Sequence, residues 1–309
     1  MTIPSINAAS LFDPDHVNYR ASVEAVRVAA EDIGFMTITN TTIDASEVQK
    51  VMNTYREFFM LPDAQKAVFD MATTGSNRGW GAPGAEQVDS AANPDYKEVF
   101  DCGLELDVED PLVAQTYYAP NRWPDHPAGF RSVVQDYYDK VTAVSLALLT
   151  AVAQAVGQPA DYFTDKFDKP MALLRGNYYP PRPPTAGSKD FGIAPHTDYG
   201  CLTLLATDGT PGLEIQDRNG HWAGISASPG TFVVNFGEML QMWTAGQVVA
   251  TPHRVLGGSE ERISVPFFFN PRFDANVAPP GSSDVVLAGE HLAKRYDETY
   301  VHRQTTGNS

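Results

Sequence analysis

The chain of 309 residues holds only two cysteines, Cys102 and Cys201. Two thiols cannot form a disulfide framework, so a reducing, cytoplasmic setting is expected. No run of about 18 apolar residues occurs, which excludes a membrane-spanning helix. The opening stretch MTIPSINAAS has neither the basic start nor the apolar run of a secretory signal. Basic residues are in deficit, with 22 Lys and Arg against 38 Asp and Glu and a formal charge of −16. Nucleic-acid binding draws on clustered Lys and Arg, and no basic stripe is present, so no phosphate-backbone partner is expected. Nothing in the pattern demands a membrane partner, and a small-molecule substrate is the expectation; the pattern implies no particular oligomeric state, and a monomer is compatible with it. Repeats and low-complexity tracts are absent. Histidine is scarce at seven residues, so the placement of each one is informative.

What is there is an ordinary globular composition, 43% apolar and 19% charged, long enough for a substantial core. Residues 1–125 mix helices, short strands and a Gly-rich loop. Residues 126–171 contain AGFRSVVQDYYDKVTAVSLALLTAVAQAVG, whose apolar positions recur at helical spacing up to Gly157. Residues 172–275 turn strand-like, with LLRGNYYP, CLTLLAT, LEIQD, TFVVNF and ISVPFFF separated by Gly, Pro, Asp and Asn. Residues 276–309 carry one more amphipathic helix, GEHLAKRYDETYVHR. This order predicts a mixed α+β fold over 1–309 as a single domain. Its core is a barrel or double-sheet jelly roll with flanking helices outside, one of them long.

The segment APHTDYG sets His196 and Asp198 two residues apart, and in a strand such residues share a face. His253, in ATPHRVLGG, offers a second imidazole from another strand-like run. Two histidines and one carboxylate make the facial triad of non-haem Fe(II), which leaves positions open for a co-substrate and O2. Just downstream, ERISVPFFF places Arg262 and Ser264 on one strand face. Glu260 or Glu261 offers Arg262 a surface partner, but the apolar run argues for burial, where an unpaired guanidinium is costly. A carboxylate taken in a bidentate fork, with a hydroxyl two residues on, resolves that cost. The combination suits 2-oxoglutarate, whose one end chelates the metal while the other is a free carboxylate.

Further candidates follow from alternation. In LLRGNYYP, Arg175, Asn177 and Tyr179 share a face. Asn177 and Tyr179 can contact the same co-substrate, or serve a turn or a core hydrogen bond. Phe268 and Asn270 continue the parity of Arg262 and Ser264 toward a substrate cavity, unless Pro266 shifts the register; for Phe268 plain core packing is the alternative. Arg175 would offer that cavity a fixed positive charge for an acidic substrate, or a wall contact. Arg78 and Trp80, in the Gly-rich loop, either close over substrate or anchor the loop. EMLQMWTAG reads as core or cavity wall, and GWGAPG lacks the flanking strand and helix of a nucleotide loop. His16, His126, His221, His291 and His302 stand in polar loop-like or helical surroundings and read as solvated or capping side chains.

The order His196-Thr197-Asp198, His253, Arg262-Ile263-Ser264, preceded by NYYP, resembles the isopenicillin N synthase-like family of Fe(II)/2-oxoglutarate-dependent oxygenases. EDIGFMTITN is similar to that family's N-terminal Gly-Phe strand, and SNRGWGAPGAEQ and DYKEVFDCG to its loop and following strand. At TNTTI the chain departs from the His and Gly that many members carry. The resemblance implies a distorted double-stranded β-helix (jelly-roll) core. It implies iron on His196, Asp198 and His253, and 2-oxoglutarate on Arg262 and Ser264 with Asn177 and Tyr179 assisting. The implied activity is a dioxygenase that uses O2 and releases succinate and CO2. It would hydroxylate a small organic molecule, with desaturation or ring closure as variants. Two other readings stay open: a non-catalytic metal- or small-molecule-binding barrel acting as sensor or store, and an Fe(II) oxidase of the same family that uses no 2-oxoglutarate.

Overall fold

A computed structural model describes residues 3–74 and 76–299. In chain order its strands are β1 (Ser5–Asn7), β2 (Phe35–Thr39), β3 (Gly79–Gly81), β4 (Glu98–Gly103), β5 (Leu173–Tyr179) and β6 (Ile193–His196). They continue with β7 (Leu202–Thr207), β8 (Leu213–Gln216), β9 (Trp222–Gly224), β10 (Phe232–Phe236), β11 (His253–Val255) and β12 (Arg262–Phe269). The α-helices are α1 (Tyr19–Val28), α2 (Ala45–Phe59), the single turns α3 (Asp63–Lys66) and α4 (Met71–Thr74), α5 (Phe130–Ala155), α6 (Glu238–Trp243) and α7 (Ala288–Thr299). His302 and the rest of the C-terminal helical pattern beyond 299 lie outside the described residues.

Two sheets face each other. The larger runs β1-β2-β10-β7-β12-β5-β4-β3 and the smaller β6-β11-β8-β9. Strands of the N-terminal third interleave with those after Ala172: β2 pairs with β10 and β4 with β5. The strand-rich core is therefore wider than the segment 172–275 in which the alternation is easiest to read. Among the missed strands, β1, β3 and β9 are three residues long, too short to carry a periodic signal.

Helix α5 forms where its apolar spacing predicts, burying Val134, Tyr137, Tyr138, Val141, Val144, Leu148 and Val152. Gly157 follows its end at φ 74°, the left-handed position that stops a helix without a Cβ clash. The helix packs beneath β12 and β7, with Tyr138 edge-on to Phe267 at 5.2 Å between ring centroids. That contact fixes the two faces of β12. Ile263, Val265, Phe267 and Phe269 enter the main core, while Arg262, Ser264, Pro266 and Phe268 turn to the space between the sheets. Pro266 does not shift the register, since the β12–β7 pairing runs unbroken from Ser264↔Thr207 through Pro266↔Leu205 to Phe269↔Leu202.

On β5, Leu174 and Tyr178 face the core and Leu173, Arg175 and Asn177 face the cavity. Gly176 sits between them because the Tyr55 ring occupies the place of its side chain. EMLQMWTAG becomes α6, whose Trp243 packs on Phe163 in the core and not on the cavity.

If this division of β12 holds, Phe267→Ala should remove a fully buried ring and cost about 3–5 kcal/mol of stability. Chemical denaturation measures it. A loss below about 1 kcal/mol would mean that Phe267 is not part of the packed layer over α5.

Candidate active site

Antiparallel pairing of β6 with β11 sets His253 opposite His196 in register. Their ring centroids are 4.3 Å apart. Asp198 does not lie in the strand with His196, as the spacing suggested. It follows the end of β6 in a loop, and this loop is held close against α6, whose Glu238 N–H donates to the Asp198 carbonyl at 2.8 Å. The turn still brings the carboxylate to the imidazoles: Asp198 Oδ1 is 3.8 Å from His196 Nε2 and 3.7 Å from His253 Nε2. One donor atom from each of the three residues lies within 4.8 Å of the others, the spacing of ligands around a single ion.

The second atom of each ligand is already occupied. His196 Nδ1–H donates to the Ala194 carbonyl at 2.8 Å and His253 Nδ1–H to the Thr251 carbonyl at 3.2 Å. These bonds select the tautomer that leaves both Nε2 lone pairs facing the centre. Asp198 Oδ2 accepts from Thr203 Oγ1 and from Asn235 Nδ2, which leaves Oδ1 free. Burial, then the neighbouring His253, hold the His196 imidazole well below its ordinary pKa. Burial works against ionisation of Asp198, yet the two imidazoles and its two hydrogen bonds bring its pKa below the usual carboxylate value. Two imidazoles with Nε2 turned inward and one carboxylate, on one side of a cavity, form a donor set that fits Fe(II).

Behind this triad the cavity narrows to a recess lined by Asn177, Tyr179, His196, Asp198, Arg262 and Ser264. Register places them: Arg262 pairs with Tyr179 and Ser264 with Asn177 across β12 and β5. Arg262 is 4% exposed and donates from Nε to the Thr210 carbonyl at 3.2 Å. Its Nη1 has no hydrogen-bond partner, and among the described residues no acid pairs with it. Glu261 is turned to Arg56 at 3.2 Å instead. The guanidinium lies over the Tyr179 ring at 5.0 Å. Asn177 Oδ1 is likewise buried without a partner, while its Nδ2 approaches Ser264 Oγ at 3.5 Å. A buried guanidinium with an unused fork beside a hydroxyl fits the carboxylate of 2-oxoglutarate.

Two family models match the chain: the N-terminal region of non-haem dioxygenases in morphine synthesis over residues 3–126, and the 2OG-Fe(II) oxygenase superfamily over residues 170–271. The chain is 30% identical to a 2-oxoglutarate-dependent dioxygenase from Didymella fabae, covering 97% of each chain. It belongs to the 2OG-Fe(II) oxygenase superfamily. It is also 31% identical to a homoarginine-6-hydroxylase from Oryza sativa subsp. japonica, over 97% of this chain and 98% of the relative. Among solved structures, a full-length Neurospora crassa protein in complex with alpha-KG and thymine superposes with a TM-score of 0.84 at 27% identity, covering 96% of each chain. The protein is thus an Fe(II)- and 2-oxoglutarate-dependent dioxygenase of isopenicillin N synthase-like type, with O2 as its oxidant. Neither the non-catalytic barrel nor the oxidase without 2-oxoglutarate is favoured.

On its outer side the oxygenase cavity is lined by Glu86, Lys97, Arg175, Tyr199, Phe268, Asn270, Leu292 and Tyr296, among others. Phe268 faces it as the alternation predicts. Arg175 faces it too, but its charge is met inside the protein. Nε and Nη2 donate to Asp101 at 2.7 Å each, and Glu86 accepts at 3.0 and 2.8 Å. It therefore offers no free positive charge to an acidic substrate. Asn270 is a cross-link as well as a wall, accepting from Cys201 N–H at 2.9 Å and donating to the Met171 carbonyl at 3.4 Å.

Arg78 and Trp80 do not line the cavity. Arg78 is buried, donating to the carbonyls of Asn77 and Tyr117, and Trp80 donates to Glu98 at 2.8 Å beneath the Lys66 ammonium. Both anchor the Gly-rich loop, and the loop reaches the cavity through Glu86 and Val88 instead. The oxygenase also draws on residues that sequence reasoning missed: Glu86, Lys97, Asp101, Thr203, Asn235, Leu292 and Tyr296. One signal was available. Asp95, Lys97 and Asp101 are spaced by even steps in DYKEVFD, a charged face on a strand that otherwise reads as core. Outside the cavity, His221 is exposed beside Asp217, while His291 donates from α7 to the Tyr199 carbonyl at 3.1 Å.

Asn235→Ala should remove one of the two hydrogen bonds to Asp198 Oδ2 and weaken Fe(II) binding about 10–100-fold, the usual effect of losing such an orienting partner. Anaerobic metal titration measures it. An unchanged affinity would mean that Thr203 alone orients the carboxylate.

Proposed function

We propose that His196, Asp198 and His253 are the three protein ligands of the Fe(II), and that Arg262 and Ser264 hold the distal carboxylate of 2-oxoglutarate. Asn177 and Tyr179 complete that recess. The observation that carries the reading is the buried Arg262 guanidinium, whose Nη1 has no protein partner in a recess that opens onto the His-Asp-His triad. An unpaired buried charge is destabilising, so the protein tolerates it only for a ligand that supplies the anion.

When bound, the ferrous ion couples O2 reduction and decarboxylation of 2-oxoglutarate to oxidation of a substrate C–H bond. The chain's own residues orient the partners. The carbonyls of Ala194 and Thr251 keep both imidazole Nε2 atoms unprotonated toward the ion, and Thr203 with Asn235 turns Asp198 Oδ1 to it. Arg262 and Ser264 set the distance at which 2-oxoglutarate meets the triad. Phe268 borders both the recess and the outer cavity, so its ring sets where a substrate stops short of the ion.

A relative named for homoarginine hydroxylation and the Neurospora crassa complex with thymine support a small organic substrate and hydroxylation as the reaction. The chain would act as one oxygenase unit, because the larger sheet draws strands from both matched regions. A cytoplasmic setting is in keeping with two buried free thiols, Cys102 and Cys201. The acidic surface likewise disfavours nucleic acid and anionic membranes as partners.

A metabolite screen scored by substrate-dependent succinate formation tests the activity. In it, Asp198→Ala should abolish turnover, and full activity of that variant without added ligand would overturn the ligand set. Arg262→Lys keeps the charge and loses the fork. With charge-assisted bonds of about 1.5–3 kcal/mol each, the apparent KM for 2-oxoglutarate should rise about tenfold or more. An unchanged KM would place the carboxylate on another residue. Phe268→Ala should raise succinate relative to oxidised product while leaving the KM for 2-oxoglutarate near wild type. An unchanged ratio would make Phe268 a packing residue.

A further inference from the structure

Lys97 is buried in the cavity wall next to the triad, 3% exposed. Its ammonium donates to Asp95 Oδ2 and to Glu86 Oε2, both at 2.8 Å. An ammonium carries three donors. Among the described residues no protein group takes the third, although Lys97 lines the cavity with Asn177, His196 and Phe268. Burial opposes the charged form, but Asp95 and Glu86 raise the pKa of Lys97 above its ordinary value, so it stays an ammonium.

The charges around it limit what it can bind. Glu86 accepts from both Lys97 and Arg175, and this pairing holds its pKa at about 2 against the effect of burial. Arg175 is also forked onto Asp101. A carboxylate brought to Lys97 would enter the field of Glu86 and Asp95, and once 2-oxoglutarate has taken Arg262 no uncommitted cation is left to balance it. An ammonium brought to Glu86 would meet Lys97 and Arg175. Beside side chains this buried, either juxtaposition sets like charges next to each other with little screening. An uncharged carbonyl takes one hydrogen bond and brings no charge. Beside it, Glu86 Oε1, held by Arg175 at 2.8 Å, keeps a lone pair for an N–H. Phe268 and Tyr296 supply flat apolar walls for the rest.

We propose that Lys97 donates its third hydrogen to a carbonyl oxygen of the primary substrate, and that this substrate is a small uncharged carbonyl compound of the lactam or imide kind. The proposal rests on the oxygenase reading of the same cavity. It makes Lys97 a substrate-binding residue and Arg175 a positioning residue that holds Glu86 in place.

The test is anaerobic calorimetric titration of the Fe(II)- and 2-oxoglutarate-loaded enzyme with a panel of lactams and cyclic imides. Each is matched by a counterpart carrying a carboxylate or an ammonium group. At least one uncharged member should bind tenfold or more tightly than both of its charged counterparts. Lys97→Met should weaken that member tenfold or more. If Lys97→Met does not fold, Lys97→Arg, which keeps the charge and moves the donors, should show the same loss. Binding of no uncharged member, equal or tighter binding of a charged counterpart, or wild-type affinity in the variant would each overturn the proposal. Titration of 2-oxoglutarate into the same Fe(II)-loaded preparation separates the two readings, because its failure to bind would count against the co-substrate site and not against Lys97.

Discussion

Strand β12 lies between β5 and β7 in the middle of the larger sheet, and all of its side chains except Phe268, which borders the cavity, are buried. One face must be apolar enough to pack on α5, and Phe267 and Phe269 meet that demand. The other face carries Arg262 and Ser264 into the interior, where a guanidinium is costly unless an anion meets it. That constraint orders the rest. The register with β5 brings Asn177 to Ser264 and Tyr179 to Arg262, and the register with β7 brings Thr203 to Phe268. Thr203 in turn pairs with Asn235 on β10, and these two hold Asp198. The Arg262 recess, the cavity wall and the two side chains that hold Asp198 thus sit on neighbouring strands of the larger sheet, while His196 and His253 reach the same cavity from the smaller one.

The two charged regions of the cavity are managed in opposite ways. Around Arg175 and Lys97 the protein supplies its own acids, Glu86, Asp95 and Asp101, and the wall is polar without a free charge. At Arg262 it supplies none, and Asp208, the acid close in space, is turned to the Ile263 N–H at 2.8 Å. The contrast separates a wall whose charges are paired within the protein from a recess that leaves a buried guanidinium without an acid. It also explains why Arg175, on the same strand face as Asn177, does not share the role that its charge alone suggests.

Most of the chemistry was legible in the sequence because it follows strand parity. Ser264 and Phe268 follow from Arg262, and Asn177 from Arg175, by even steps, His196 and His253 stand in separate strand-like runs, and the structure brings them to one cavity. Parity failed where the backbone leaves the strand. Asp198 reaches the triad from a loop, a geometry that spacing does not predict. Arg78 and Trp80 were legible as polar and aromatic residues in a Gly-rich loop, but their partners, the Tyr117 carbonyl and Glu98, come from elsewhere in the fold. Glu86 and Tyr296 were illegible for the same reason: only tertiary packing brings a loop and the C-terminal helix to the cavity. The strands β1, β3 and β9 were too short to show a period.

A crystal structure of the protein with a redox-inert divalent ion and 2-oxoglutarate tests the central claim most directly. The distal carboxylate should lie on Arg262 Nη1 and Ser264 Oγ, with the ion bound by His196, Asp198 and His253. A carboxylate seated on Lys97 or Arg175, or an Arg262 guanidinium still without an anion, would contradict it.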